Sequence, residues 1–268
     1  MDRSVRPDST IARLPDSLRT PALVLRHMIH VVRTRRKGYV YQSDGFATAH
    51  YSPFLGDPEF ASLYAAVHDR WTGEPIDIRW RVWILLQCAR QTAALGCSLA
   101  EFGVYRGACA FLMLSNAQLQ QQQHFFLFDT FAGIPGYRLT AKEERDRFGG
   151  RLVDTSAEEV ATLLAGWSSQ ISLVSGDVFD TLPNTETGPL GFAHIDLNAS
   201  APTKAVLQYV YPRLVASGMI VFDDYGQEGY KDQRAVIDEF FATKPESVIA
   251  LPTGQGLAMR TATARVGA

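Results

Sequence analysis

Short apolar runs alternate with amphipathic stretches through most of the chain, from residue 76 onward. Short apolar runs bounded by turn residues are typical of strands buried on both faces, and the stretches between them have helical spacing. The predicted strands span residues 98–104, 124–129, 171–175, 191–196, 218–223, 247–251 and 256–260. The predicted helices span residues 77–95, 107–120, 156–168, 202–216 and 230–243. We therefore expect an α/β fold: a mostly parallel seven-stranded sheet with helices on both faces, ending in an antiparallel C-terminal hairpin.

Residues 1–75 have a different pattern and are predicted to form an N-terminal extension and cap, with residues 76–268 as the main domain. Within the extension, residues 22–36 mix apolar and basic positions in the manner of a short amphipathic helix. The following residues, 38–75, are rich in aromatic residues, glycine and proline, and a helix is expected over 58–71.

Composition and charge narrow the class of protein. The chain has 268 residues, 46% hydrophobic and 20% charged, which excludes a disordered chain or a disulfide-dense miniprotein. No apolar run reaches the roughly 18 residues of a membrane-spanning helix, and the first residues do not form a signal peptide. Cys88, Cys97 and Cys109 match no metal motif and are expected to be buried, reduced thiols. We expect a cytoplasmic protein.

Charge is distributed unevenly. The net charge of −2 does not predict binding to nucleic acid, yet residues 18–37 contain six basic residues and no acidic one. The other 20 basic and 28 acidic residues leave a charge of −8 on the rest of the chain. The basic segment fits a solvated helix, a dimer contact in a homo-oligomer, or docking to an anionic membrane or a partner enzyme.

Glycines and an acid lie at the end of the first predicted strand, where ligands bind in open α/β sheets. Glu101 precedes Gly103 and Gly107, which allow a tight turn beside a ligand, and the helix that starts there offers unpaired N–H groups. The segment lacks the G-x-G-x-x-G of dinucleotide sites. Its acid suits the ammonium group of an amino acid better than a pyrophosphate. A purely structural turn is the alternative interpretation.

Acids also end the next two predicted strands. Asp129 is placed to accept hydrogen bonds from the hydroxyls of a ribose. Asp177 could accept one from an adenine amino group. A helix cap or a simple turn is the alternative for each residue.

Three carboxylates follow the fourth and fifth predicted strands: Asp196, Asp223 and Asp224. They are costly together unless a cation or a proton lies among them, and such oxygen ligands suit Mg²⁺. The alternative is that one of them caps a helix and another is solvated. His194 is predicted to face the opposite side of the sheet from Asp196 and to serve in packing.

Residues 132–156 form a long polar stretch between predicted elements. Loops of this length in compact domains usually have a purpose. We expect this loop to act as a lid over a cofactor and an acceptor.

Five segments occur in the order and spacing of a known family. They read EFGVYRG at 101–107, FDTFAGIP at 128–135, GDVFDTLP at 176–183, DDYG at 223–226 and LPTGQG at 251–256. With them the chain resembles the macrocin O-methyltransferase (TylF-type) family of class I S-adenosylmethionine-dependent methyltransferases, over about residues 76–260 and more weakly over 39–75. The resemblance implies a Rossmann-like fold and O-methyl transfer.

The resemblance also implies which residues bind S-adenosylmethionine. The methionine part of the cofactor would contact Glu101, Gly103, Arg106 and Gly107. Asp129 would bind the ribose, and Asp177 the adenine. The other implied cofactor contacts are Tyr105, Thr130, Phe131, Val178 and Asp196.

A divalent metal, Mg²⁺, is implied at Asp196, Asp223 and Asp224, where it would hold a vicinal diol of a sugar and lower the pKa of the hydroxyl to be methylated. Two residues depart from the family pattern. Ala108 stands where a second glycine is common, and Asn198 where many members carry a second acid. Asp196 is the candidate catalytic residue, as the base or as a metal ligand.

The function predicted from the sequence is therefore O-methylation of a sugar hydroxyl, on a glycosylated natural product or a polysaccharide. A cofactor-binding subunit without catalysis of its own is the alternative. The absent third glycine argues against a nicotinamide-dependent oxidoreductase.

Overall fold

The computed structural model describes residues 38–71, 77–145 and 149–262, which fall in two compact units divided between Pro53 and Phe54. The predicted basic helix over 22–36 lies outside these residues, as does the predicted domain boundary between 75 and 76. In the first unit, β1 (Tyr41–Ser43) and β2 (Phe46–Thr48) form an antiparallel hairpin. Its turn, Asp44 and Gly45, has φ of 51° and 68°. This hairpin was not predicted, although Asp-Gly is a typical two-residue hairpin turn.

The second unit contains a seven-stranded sheet built from described residues. Its strands are β3 (Ser98–Phe102), β4 (Phe125–Asp129), β5 (Ile171–Ser175), β6 (Leu190–Ile195), β7 (Leu214–Phe222), β8 (Ile249–Ala250) and β9 (Gly256–Met259). The strand order is β5-β4-β3-β6-β7-β9-β8. Strands β3 to β7 are parallel, while β9 pairs antiparallel with both β7 and β8. The predicted parallel sheet and its antiparallel C-terminal hairpin are confirmed.

Helices precede the sheet and connect most of its strands. They are α1 (Pro58–Ala66), α2 (Arg79–Ala93), α3 (Ala108–Ala117), α4 (Ala141–Arg145), α5 (Ala157–Leu163), α6 (Val178–Thr181), α7 (Ser200–Val210) and α8 (Lys231–Phe241). Single 3₁₀ turns span Pro53–Gly56, His68–Arg70, Gly136–Arg138, Ala165–Trp167, Leu182–Asn184 and Glu228–Tyr230. Helix α2 packs on α3, and α7 packs on α8.

The core is divided by the sheet, as the alternation along β6 shows. All six residues of β6 are buried. Ala193 and Ile195 belong to the apolar cluster that includes Val206 of α7 and Ile237 of α8. Burying an Ile or Val side chain fully contributes roughly 1.5–3 kcal/mol. The residue between them, His194, faces the α2 and α3 side, where ligand atoms of His194 and of Cys109 in α3 lie within 4.8 Å.

Helix α7 ends earlier than predicted, and β7 starts earlier. The apolar residues around Val215 continue the helical spacing, which led to a predicted helix over 202–216. Pro212 cannot donate a backbone hydrogen bond, so the helix ends at Val210 and a turn leads into β7 at Leu214. Ser217, with φ of 65°, then marks an irregularity in the strand.

Aromatic residues before α2 pack against that helix. The ring of Phe54 lies 5.2 Å from that of Trp80, edge to face, and Phe60 lies 5.3 Å from Trp83 in the same manner. Such pairs contribute about 0.5–1.5 kcal/mol beyond the area they bury. Among the residues that the structure describes, no helix is long and apolar enough to cross a membrane.

Candidate functional site

The carboxyl ends of the parallel strands border a cavity of about 240 Å³. Its lining includes nine of the residues predicted from the sequence: Gly103, Tyr105, Asp129, Thr130, Asp177, Val178, Asp196, Asp223 and Asp224. A second cavity of about 130 Å³ is lined by Glu101 and Arg106 and shares Gly103, Tyr105, Asp196 and Asp223 with the first. Gly107 and Phe131 line neither cavity. The structure therefore gathers most of the predicted residues at one edge of the sheet.

The glycine turn after β3 passes very close to the end of β6. Gly103 has φ of 92°, and a methyl group on it would lie 1.8 Å from the backbone oxygen of Asp196. The Asp196 N–H donates to the Phe102 carbonyl at 2.8 Å, which fixes this close approach. Tyr105 also adopts a positive φ, 50°, and Gly107, at 79°, precedes α3. The turn therefore requires glycine at position 103.

Asp129 holds the same turn from the neighbouring strand. Its Oδ2 accepts the N–H groups of Val104 (2.7 Å) and Tyr105 (2.8 Å), and its Oδ1 accepts that of Phe131 (2.7 Å). Charge-assisted bonds of this kind are stronger than neutral ones. Asp129 thus fixes the shape of the glycine turn. Its predicted contact with the ribose stays a prediction.

Glu101 and His194 form a buried pair on the face opposite the apolar cluster of α7 and α8. His194 Nδ1 lies 2.9 Å from Glu101 Oε1, His194 Nε2 lies 3.8 Å from Asp223 Oδ1, and both side chains of the pair are 1% exposed. The prediction that His194 faces away from Asp196 is wrong, because residues two apart on a strand point to the same face. His194 is part of the site.

Arg81 completes the charge of the site and was not predicted. Helix α2 turns Val82 and Leu85 into the core and directs Arg81 toward the strand ends. Its Nη1 lies 2.6 Å from Asp223 Oδ2 and 3.7 Å from Asp224 Oδ1. The apolar spacing of this segment predicted the helix. It did not indicate which of its arginines would face the aspartates.

Gln255 is a second unpredicted member of the site. Its Nε2 donates to Asp223 Oδ1 at 3.1 Å, and the residue is 1% exposed. The sequence did carry a signal, since Gln255 falls in the LPTGQG segment on which the family resemblance partly rests.

The three aspartates differ in their preference for a proton. Burial and the charge of Asp223 raise the pKa of Asp196 to about 7. Burial and both neighbouring carboxylates raise the pKa of Asp224 well above its usual range. Burial also opposes ionisation of Asp223, but the charges of Arg81 and His194 outweigh it and hold the pKa of Asp223 below its usual range. Asp223 is thus the fixed anion of the group, and Asp196 is poised to exchange a proton near neutral pH.

The family resemblance implies a divalent ion at these aspartates, but the described residues do not form a site for one. The Asp223 carboxylate is already engaged by Arg81 and Gln255, and Asn198 donates its amide N–H to Asp196 Oδ1 at 3.1 Å. In the described part of the chain, the His, Cys, Asp and Glu group whose ligand atoms lie within 4.8 Å of one another is Glu101, Cys109 and His194. As they stand, Asp196, Asp223 and Asp224 do not fit a metal, and no step is assigned to one.

His194 is expected to remain protonated well above neutral pH. Burial favours the neutral ring, but the carboxylates of Asp223 and Glu101 prevail and raise the pKa of His194 to about 10. A raised histidine pKa keeps the charged form as pH rises. Nitrogen chemical shifts of the ring, recorded between pH 6 and 11, should show both nitrogens protonated at pH 8. Glu101→Gln should lower the pKa of His194. A neutral His194 ring at pH 8 in the unaltered protein would contradict the charge assignment.

The described residues of the polar loop, 132–145 and 149–156, border the large cavity, which Ile134, Arg138 and Leu152 help to line. Near its start, Arg138 Nε donates to Asp177 Oδ2 at 2.9 Å, and the Tyr137 hydroxyl donates to the same oxygen at 3.0 Å. Asp177 Oδ1 accepts the Phe179 N–H at the start of α6. The residue predicted to bind adenine therefore also fastens the loop.

Further contacts hold the middle and the end of the loop. Arg106 pairs with the Asp154 carboxylate, and the Tyr105 hydroxyl donates to Asp154 Oδ1 at 2.7 Å. Buried Glu143 in α4 accepts the N–H of Thr140 at 2.7 Å and that of Ser200, the first residue of α7, at 2.8 Å. The Thr-x-x-Glu spacing, typical of a capping box, could have revealed Glu143. The role of this loop as a lid stays a prediction.

The three cysteines are free, as expected, but only Cys88 is buried. Cys97 and Cys109 are partly exposed, and Cys109 lines the small cavity.

Three features together define the Rossmann-like fold of class I methyltransferases. They are the order of the parallel strands, the antiparallel strand β9 between β7 and β8, and the glycine turn that faces a carboxylate. The sequence model of the macrocin O-methyltransferase (TylF) family matches residues 80–247, more than half of the chain. The chain belongs to this family.

Two curated relatives match in sequence. A tetracenomycin-type rhamnosyl 4′-O-methyltransferase of Streptomyces olivaceus is 25% identical over 143 residues, which cover 50% of this chain and 55% of the relative. Demethyldecarbamoylnovobiocin O-methyltransferase of Streptomyces niveus is 28% identical over 137 residues, covering 47% and 52%. The matched part of the chain thus spans about half the length of each relative.

Solved structures share the fold. The O-methyltransferase NovP superposes with a TM-score of 0.61 at 22% identity, over 68% of this chain and 80% of that protein. The calicheamicin methyltransferase CalS11 superposes with a TM-score of 0.56 at 19% identity, over 78% and 94%. At these identities the likeness establishes the Rossmann-like architecture.

Proposed function

We propose that this protein is an S-adenosylmethionine-dependent O-methyltransferase that methylates a sugar hydroxyl of a glycosylated small molecule. The observation that carries the proposal is the junction of Gly103 and Asp196. The turn that would receive the methionine part of the cofactor lies against the strand end that carries the candidate base. A methyl donor and a proton acceptor would therefore meet at one point of the cavity.

The described residues fit the cofactor. Glu101 Oε2 is buried without a hydrogen-bond partner among them, and Glu101 lines the small cavity, where the cofactor's ammonium group would supply the missing donor. Gly103 lines both cavities, and the absence of a side chain there lets the turn lie against the Asp196 backbone. When bound, S-adenosylmethionine supplies a methyl group on a positively charged sulfur.

Asp196 would act as the general base. When the acceptor hydroxyl is methylated, the Asp196 carboxylate would accept its proton. Asn198 orients the carboxylate by donating to Oδ1. Burial, together with the charge of Asp223, raises the pKa of Asp196 to about 7, which suits proton removal near neutral pH. Arg81 and His194 hold Asp223 as an anion beside it.

The class of acceptor rests on the relatives. The Streptomyces olivaceus relative is described as acting on the 4′ position of a rhamnosylated tetracenomycin, and the Streptomyces niveus relative on demethyldecarbamoylnovobiocin. The lid would place its own residues beside such an acceptor, since Ile134, Arg151 and Leu152 line the cavity. Loops of this kind exclude water and align the hydroxyl with the methyl group.

The remaining expectations stay predictions. They are a cytoplasmic location, a homo-oligomer, a polysaccharide as the alternative acceptor, and a membrane or partner contact through residues 18–37, which lie outside the described residues.

Ligand binding and label transfer together test the proposed function. Trp71 lines the small cavity, so S-adenosylhomocysteine should quench tryptophan fluorescence while NADH should not. With methyl-labelled S-adenosylmethionine, label should then appear on a glycosylated small molecule offered from a panel of such acceptors. Quenching without any transfer across the panel would favour a cofactor-binding subunit without catalysis, and quenching by NADH alone would refute the methyltransferase assignment.

A further inference from the structure

Arg81 lies beside two of the three aspartates, at a position where a cation offsets their charge. Its Nη1 is 2.6 Å from Asp223 and 3.7 Å from Asp224. The arginine side chain is only 16% exposed and lines both cavities, so the ion pair is formed at the site and not on the outer surface. A guanidinium is a permanent, weakly hydrated cation suited to partly buried carboxylates.

The other contacts of the aspartates also favour a fixed organic cation over a metal ion. Asp223 Oδ1 accepts from Gln255 Nε2 at 3.1 Å and lies 3.8 Å from His194 Nε2. Asn198 presents its N–H₂ group to Asp196. A Mg²⁺ ion requires six oxygen ligands in near-octahedral geometry at about 2.0–2.1 Å, whereas these carboxylate oxygens face nitrogen donors.

We propose that Arg81 is a positioning residue that takes the place of the divalent ion, so that methyl transfer needs no metal and a metal ion enters only when Arg81 is removed. The proposal rests on the proposed function for its statement about transfer, while its statement about metal exclusion stands on Arg81 and Asp223 alone. Arg81 neutralises Asp223 and fixes its orientation, leaving Asp196 free to receive the proton.

Manganese binding tests the exclusion independently of activity. Free Mn²⁺ is measured by its paramagnetic resonance signal while the full-length protein is added, for the unaltered protein, Arg81→Met and Arg81→Lys. We expect Arg81→Met to bind Mn²⁺ at least tenfold more tightly than the unaltered protein, and Arg81→Lys to behave like the unaltered protein. Adding Asp223→Asn to Arg81→Met should abolish the gained binding. Arg90→Met, an exposed position on the same helix, is the matched control and should change nothing.

Equal Mn²⁺ affinity in the unaltered protein and in Arg81→Met would overturn the proposal, whether that affinity is high or undetectable. If Arg81→Met does not fold, as judged by its thermal transition, measurements on the unaltered protein still test the proposal. Tight Mn²⁺ binding to it, or loss of its methyl transfer on treatment with EDTA and recovery with Mg²⁺, would show that Arg81 does not replace the metal. Absence of transfer in every sample would instead count against the proposed function and leave the manganese comparison valid.

Discussion

Gly103→Ala is expected to abolish cofactor binding and methyl transfer and to destabilise the fold. The added methyl group would lie 1.8 Å from the backbone oxygen of Asp196, and neither backbone can withdraw, because Asp196 N–H is bonded to Phe102. Positive φ costs a residue with a side chain about 1–3 kcal/mol, and overpacking adds typically about 1–3 kcal/mol. Denaturant unfolding and calorimetry with S-adenosylhomocysteine measure the two losses.

Gly96→Ala provides the matched control for this substitution. Gly96 also has a positive φ, 70°, but a methyl group there meets nothing within 4 Å. Its substitution should cost only the strain of the left-handed conformation, about 1–2 kcal/mol, and leave cofactor affinity unchanged. If Gly103→Ala were no more harmful than Gly96→Ala, the close approach of the glycine turn to Asp196 would be disproved.

Asp196→Asn should reduce methyl transfer by about 10²- to 10⁴-fold, the usual contribution of a general base, and leave affinity for S-adenosylhomocysteine within several-fold. Asparagine has the same shape and keeps an oxygen to accept from Asn198, but it cannot take the proton of the acceptor. Initial rates with labelled cofactor and a responsive glycosylated acceptor measure the first effect, and calorimetry measures the second.

The pH dependence of the unaltered protein supports the same test. Because Asp196 must be ionised to act as a base and its pKa is about 7, the rate should fall as pH drops through about 7 and level off above it. Asp180→Asn removes an exposed carboxylate outside the cavity and should alter neither the rate nor its pH profile. Full activity in Asp196→Asn would exclude Asp196 as the base.

The parallel sheet could be predicted from its short apolar runs, and most of the site could be predicted because parallel strands place their carboxyl ends at one edge. Asp129, Asp177 and Asp196 were found in this way, each directly after an apolar run. Element ends were predictable where a residue forces them. Pro212 ends α7 in the structure. The prediction extended the helix past it because the apolar spacing continues.

Residues that reach the site from elsewhere could not be placed in it from the sequence, although Gln255 lies in a segment of the family resemblance. Arg81 projects from a helix, and the rotation of a helix against a sheet depends on packing over its whole length. Gln255 arrives from the hairpin beyond β8, so its contact with Asp223 depends on the antiparallel pairing of β9. For His194 the failure was avoidable, because strand geometry alone places it on the face of Asp196.

The loop predicted to act as a lid would also affect how long the spent cofactor stays in place. Its ties to the sheet include two ion pairs, Arg138 with Asp177 and Arg106 with Asp154. Asp154 is 59% exposed and Asp177 only 8%. Dissolved salt screens exposed pairs far more than buried ones, so higher ionic strength loosens the Asp154 end first. If the loop acts as a lid, we expect it to open from its Asp154 side and the residence time of S-adenosylhomocysteine to shorten as ionic strength rises.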